Sequence, residues 1–271
     1  RAAVLNNHLE VTQQLLTDIA DKKVAQPDLI VWPESGTDID PLQPGLAADE
    51  ITDLVSATDI PVLIGATTWG SADGSKSSGP RNAGILWQRD SGPGEMYFKN
   101  HLVPFGEYIP LRDFIARYVS RFDQIPSDFI AGTEPGVFKV GKSKIGDVIC
   151  FEVAYADRIQ KTVAAGAQVM VVQTNNATYG NTSQPAQQFA ITRFRAIESQ
   201  RAFLVASTSG ISGLIRNDGT VMAQTKQFEA ETVVGEVELI SDRTFTHRYP
   251  HWILVVSILI LTLALRRNRV Q

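Results

Sequence analysis

The chain is 271 residues long, 44% hydrophobic, and carries a formal net charge of −4. That is enough apolar mass to bury a full core, and it leaves no basic stripe to neutralise a phosphate backbone, so disorder and nucleic-acid binding are excluded. The single cysteine, Cys150, excludes an intramolecular disulfide framework and leaves one thiol as either buried filler or chemistry.

Residues 1–16 are polar and helix-like, with no charged patch followed by an apolar run, so no secretory signal is legible. The chain opens on a helical pattern over 2–23, with no strand before it, which in an α/β protein points to a fragment. A strand is predicted at 29–32, a helix at 47–58, and strands at 61–67 and 82–87. A strand at 144–150 ends on Cys150 and is followed by a helix at 156–165 and a strand at 169–174. The helix predicted at 184–200 carries Ala190, Ile191, Phe194 and Ile197 on one face, and strands follow at 202–207, 212–215 and 231–238. Strands outnumber helices, which argues for sheets with helices packed outside them. Of the connections, 71–80 reads as an exposed loop tip and 91–94 as a turn, whereas 110–136 is apolar enough to be a core helix, an active-site lid or a lipid-touching arm.

Residues 249–265, YPHWILVVSILILTLAL, are apolar, flanked by Tyr249 and Trp252 on one side and by Arg266, Arg267 and Arg269 on the other. This is the pattern of a short transmembrane helix with a cytoplasmic tail at 266–271, which places the preceding domain, 1–248, on the extracytoplasmic side. The alternative is a buried terminal helix or strand of a soluble core.

Three places put a reactive or charged residue at the end of an apolar strand, where α/β proteins build their sites. DLIVWPES delivers Glu34, MYFKNHLVPFGEYIP carries Lys99 and Glu107, and GDVICFEVAY ends on Cys150, followed by Phe151 and Glu152. A carboxylate, an ammonium and a thiol suit acyl transfer: Glu34 as base, Lys99 lowering the thiol pKa and holding an oxyanion, Cys150 as nucleophile. Taken singly, each has a plain alternative: Cys150 a buried hydrophobe, Glu34 the first residue of a helix, Lys99 a solvated strand end. His8, His101, His247 and His251 have no metal-site spacing, although His101 lies near enough to Lys99 to line the same pocket.

Together the three segments resemble the nitrilase superfamily of carbon-nitrogen hydrolases, in which a glutamate, a lysine and a cysteine follow three strands in this order. KNHLVPFGE, NNATYGNTSQPAQQ and RFRAIESQR are similar to the apolipoprotein N-acyltransferases within it, and NNAT with ASTSG to their actinobacterial branch. The resemblance implies an αββα sandwich preceded by a first strand and a membrane domain. It also implies Cys150 as nucleophile, Glu34 as general base, Lys99 as stabiliser of the intermediate, and Glu107 and Glu152 as supports. Phe151 stands where many relatives carry tyrosine, and Phe151, His101, Asn176 and Tyr179 are the candidates for substrate contact. The implied reaction moves an acyl chain from a phospholipid to a lipoprotein's N-terminal amine at the bacterial plasma membrane, without metal or organic cofactor. A hydrolase of small amides and a membrane-tethered binding domain are the rival readings.

Overall fold

A computed structural model describes residues 3–69, 79–112 and 127–268. The elements run α1 (Ala3–Ala20), β1 (Ile30–Val31), α2 (Leu46–Thr58), β2 (Val62–Trp69), β3 (Pro80–Gln88), β4 (Gly92–Phe98), β5 (Gly136–Val140) and β6 (Ser143–Ile149). After a 3-10 turn at Cys150–Ala154 come α3 (Ala156–Ala164), β7 (Val169–Thr174), α4 (Gln184–Ser199), β8 (Phe203–Ser207), β9 (Gly213–Ile215), β10 (Val221–Gln224), α5 (Phe245–Arg248) and α6 (Trp252–Asn268). Two sheets form, ordered β1-β2-β3-β4 and β10-β9-β8-β7-β6-β5. The centre of the second, β6-β7-β8, is parallel and its flanks are antiparallel.

Alternation along the buried strands sets the layers. On β2, Val62 and Ile64 face α1 and α2 with Leu5, Ile51 and Trp87, whereas Leu63 turns inward. On β7, Met170 and Val172 pack against α3 and α4 with Ile159, Val163 and Ala196, whereas Val169 and Val171 meet Leu63, Leu86, Tyr97 and Ile149 between the sheets. The result is an αββα sandwich, and strands buried on both faces explain why they read as continuous apolar runs.

Several elements differ from the sequence prediction. Residues 231–238 join no ladder; Val233 and Val237 are half-buried while the rest lie exposed, so period-two patterning here marks an extended segment laid over the surface rather than a paired strand. Strands β4, β5 and β10 went unpredicted; β4 opens Gly-Pro-Gly, yet Gly92, at φ 65°, already pairs with Gln88 of β3, so the turn is confined to residues 89–91. The predicted face of the helix at 184–200 is also wrong. Pro185, Phe189, Thr192, Ala196 and Ser199 point inward, while Phe194 and Ile197 are exposed; Phe189 and Ala196 pack on the second sheet, and Gln188 and Arg195 reach the turn at Cys150–Ala154. The expectations for 71–80 and 110–136 lie largely outside the described residues.

The predicted membrane span also needs correction. The terminal helix begins at Trp252 rather than 249, and only residues 252–265 precede Arg266 and Arg267. Fourteen residues rise about 21 Å, short of a hydrocarbon core of about 30 Å. Among the described residues, no helix is long and apolar enough to cross a membrane.

Candidate active site

The chain crosses from β1 into the site through Pro33, and Glu34 sits buried immediately after it. The approach is close. A Cβ on Gly65 of β2 would stand 2.2 Å from the Pro33 carbonyl oxygen and 2.7 Å from the Glu34 Cα, so only glycine lets this segment lie over the sheet. Glu34 Oε1 accepts from Asn82 Nδ2 at 2.5 Å and from Lys99 Nζ at 3.2 Å, and Oε2 accepts from the Asn175 backbone N–H at 2.8 Å.

Lys99 follows β4 and is buried; its Nζ also donates to Glu107 Oε1 at 2.9 Å. The Glu107 Oε2 accepts from the Val103 N–H at 2.8 Å, which ties the carboxylate to its own loop. Asn82 Nδ2 bridges Glu34 and Glu107 from the start of β3. Burial alone would lower the Lys99 pKa, but Glu34, Cys150 and Glu107 outweigh it, and the ammonium is held charged.

Cys150 does not end a strand as predicted. Strand β6 stops at Ile149, and Cys150 opens the 3-10 turn in the left-handed region at φ 55°, a conformation that turns the thiol out of the sheet toward Glu34. Glu34, Lys99 and Thr174 lie close enough to act on the thiol. Burial first, and then the Glu34 charge, push its pKa up to about 11; Lys99 pulls downward without reversing this. Lys99 thus acts on the thiol in the expected direction, but burial and the Glu34 charge outweigh it.

Glu152 is not in the pocket. Fully buried, it accepts from the Asn100 and His101 N–H groups through Oε1 at 2.8 and 2.9 Å, and from Tyr97 Oη and the Ile149 N–H through Oε2 at 2.7 and 2.8 Å. It thus fastens the end of β4, which carries Lys99, to the turn that carries Cys150. His101 stacks on Tyr155 with ring centroids 3.5 Å apart, and Phe151, 39% exposed, meets the same ring edge-on. These three rings form an aromatic ledge beside the thiol rather than part of the charged cluster. Tyr179 is half-buried nearby, its phenol pKa raised by burial and then by Cys150 and Glu34.

Asn176, a candidate for substrate contact, is buried and turned inward to Gln188, Thr174 and Ser207. Sequence reasoning missed Asn82 and Gln188, whose Nε2 lies 3.8 Å from Cys150 Sγ. The available signal was an amide inside an otherwise apolar strand for Asn82; Gln188, within QPAQQ, carried none. Among the described residues no group of three or more acidic, histidine or cysteine side chains is arranged to hold a metal ion.

A buried thiol beside a carboxylate that is itself paired with a lysine can carry nucleophilic acyl transfer. Over residues 1–243 the chain matches the carbon-nitrogen hydrolase family, and it belongs to that family. Among curated relatives it is 37% identical over 246 residues to an apolipoprotein N-acyltransferase of Mycolicibacterium smegmatis (90% of this chain, 41% of that one). It is 30% identical over 250 residues to one of Geobacter metallireducens (90% and 47%). The chain thus spans about half the length of the curated relatives it matches. In solved structures it is similar in fold to an amidase from Nesterenkonia sp. (TM-score 0.59, 17% identity, 84% of this chain and 82% of that one). A nitrilase-superfamily member of Saccharomyces cerevisiae is comparable (TM-score 0.60, 16% identity, 82% of each).

Proposed function

We propose that this chain is the catalytic domain of an apolipoprotein N-acyltransferase, with Cys150 as nucleophile, Glu34 as general base, Lys99 as electrostatic stabiliser, and Glu107 and Glu152 as supports. The observation that carries the reading is the Cys150–Glu34–Lys99 set in a chain 37% identical to a protein of that name. Because the resting Cys150 is a thiol, attack requires proton transfer to Glu34 as the S–C bond forms. Sγ adds to an acyl ester of a phospholipid, and the oxyanion is met by Lys99 and by backbone N–H groups of the turn. Collapse breaks the ester C–O bond, and the leaving lysophospholipid oxygen takes the proton from Glu34. The amine of a lipoprotein's N-terminal cysteine then attacks the thioester, gives its proton to Glu34, and leaves as an amide while the thiol is restored.

Helix α6 supports a lipid-side location. Its apolar side chains are exposed all round, which water does not favour and lipid does. The reading places the domain at the bacterial plasma membrane, on the extracytoplasmic side, with α6 lying against the lipid and its arginines, Arg266 and Arg267, toward the headgroups.

The test is intact mass spectrometry of the full-length protein in detergent after incubation with phospholipid. An acyl adduct removed by hydroxylamine and absent from Cys150→Ala is the expected result. No adduct, together with hydrolysis of a small amide, would replace the transferase reading by that of a hydrolase using the same residues.

A further inference from the structure

The side chains behind Cys150 form a continuous chain of hydrogen bonds. The backbone N–H of Gly210, which can only donate, gives to Ser207 Oγ at 2.9 Å. Ser207 in turn gives its hydroxyl proton to Asn176 Oδ1 at 2.9 Å. This orients the Asn176 amide, whose Nδ2 donates to Gln188 Oε1 at 2.7 Å. The Thr174 hydroxyl donates to the same oxygen at 3.1 Å. With Oε1 holding two donors, Gln188 has only its Nε2 to present to Cys150 Sγ, 3.8 Å away. Reversing the Gln188 amide alone would set its N–H group against the Asn176 Nδ2 donor, two donors facing each other at 2.7 Å.

We propose that Gln188 is a catalytic residue: its Nε2–H, oriented by Asn176, Ser207 and Thr174, donates to Cys150 Sγ and favours the thiolate as the proton moves to Glu34. The proposal rests on Cys150 being the reacting thiol of the site described above. A donor aimed at sulfur bonds the charged form more strongly than the neutral one, so it offsets part of the desolvation that disfavours the thiolate. Lys99 acts from the Glu34 side and Gln188 from the α4 side, so sulfur is faced by positive character from two directions.

Cys150 is the only cysteine of this chain, so alkylation by iodoacetamide, read by mass on the peptide that contains Cys150, reports on this thiol. The full-length protein in detergent would be alkylated across a pH series and the midpoint compared among variants. Gln188→Met keeps the volume and removes the donor; a midpoint about one unit higher, and thus about tenfold slower alkylation below it, is expected. Asn176→Asp leaves Gln188 in place but sets a carboxylate oxygen against Oε1, which turns the amide and should raise the midpoint in the same direction. Gln187→Met, an exposed neighbour whose side chain reaches only Ser183 among the described residues, should superimpose on the wild type. A Gln188→Met profile with an unchanged midpoint, or one slowed equally at every pH, would overturn the proposal by making Gln188 mere packing. If Gln188→Met fails to fold by circular dichroism, Asn176→Asp decides: an unshifted midpoint refutes the relay. Should the wild type form no thioester from phospholipid while the midpoint still depends on Gln188, the transferase reading falls and this one stands.

Discussion

Replacing Asp147 by asparagine tests whether the core between the sheets holds a neutral acid. Asp147 lies on β6, three residues before Cys150, fully buried, and neither carboxyl oxygen has a hydrogen-bond partner among the described residues. Its Oδ2 and the equally unpartnered Gln173 Oε1 lie 2.3 and 2.9 Å from where a Cβ on Gly84 would stand, so both oxygens converge on that glycine. Burial, and then the negative charge of Glu152, raise the Asp147 pKa well above the usual carboxylate range. Glu152 collects four donors and Asp147 none, which identifies Glu152 as the anion of the two and Asp147 as the acid. The sign follows. The folded state keeps a proton that the unfolded chain releases above about pH 3.9, so stability falls as pH rises, by about 1.4 kcal/mol per unit, until the folded-state pKa is passed. The amide introduced by Asp147→Asn carries no such dependence, and its Nδ2 can donate to Gln173 Oε1. Unfolding by urea in nonionic detergent, followed by tryptophan fluorescence at pH 5 and pH 7, should show Asp147→Asn gaining on the wild type by up to about 2.7 kcal/mol between the two. A variant less stable than wild type by the same amount at both pH values would refute the reasoning.

Gly65→Ala should cost about 1–3 kcal/mol of stability and abolish thioester formation, because the new methyl collides with Pro33 and Glu34 backbone atoms; denaturation and adduct mass check both. Glu152→Gln should destabilise by about 2–5 kcal/mol, since an amide leaves buried donors unmet on one side, and equilibrium unfolding measures it. Alkylation of wild-type Cys150 should rise with pH toward a midpoint near about 11, whereas a midpoint below about 9, the ordinary range of a free thiol, would mean that burial does not govern the group.

Glu34, Lys99 and Cys150 were legible because each interrupts or ends an apolar run, a pattern that burial makes expensive unless the charge is used or paired. Their partners were not legible. Asn82 and Gln188 act through the direction of an amide, and direction depends on what the fold brings opposite, in these cases Glu107 and Cys150, 25 and 38 residues away in sequence. Asp147 carried a signal that went unused: a single carboxyl inside a strand buried on both faces. The α4 face was misread because the helix buries polar and small residues, Thr192, Ala196 and Ser199, on the side whose Gln188 and Arg195 hydrogen-bond the Cys150 turn, while Phe194 and Ile197 stay exposed. The terminal helix was misread for length, as Tyr249 and His251 precede it.

The two carboxylates on Lys99 have different duties under the proposed reaction. When Glu34 takes the thiol proton, the negative charge moves from Oε to Sγ, and a lysine paired with Glu34 alone would lose its buried partner in the same step. Glu107 prevents that. Its Oε1 stays 2.9 Å from Nζ, closer than Glu34 at 3.2 Å, and its second oxygen is anchored by Val103. Lys99 therefore remains paired before and after the transfer, and its own position need not change as the charge shifts to sulfur. Asn82, bridging both carboxylates, keeps Glu34 beside Lys99 even when protonated. Under the proposed reaction the constellation is a fixed cation flanked by one carboxylate that takes up the thiol proton and one that keeps the lysine paired, which gives the second glutamate its place.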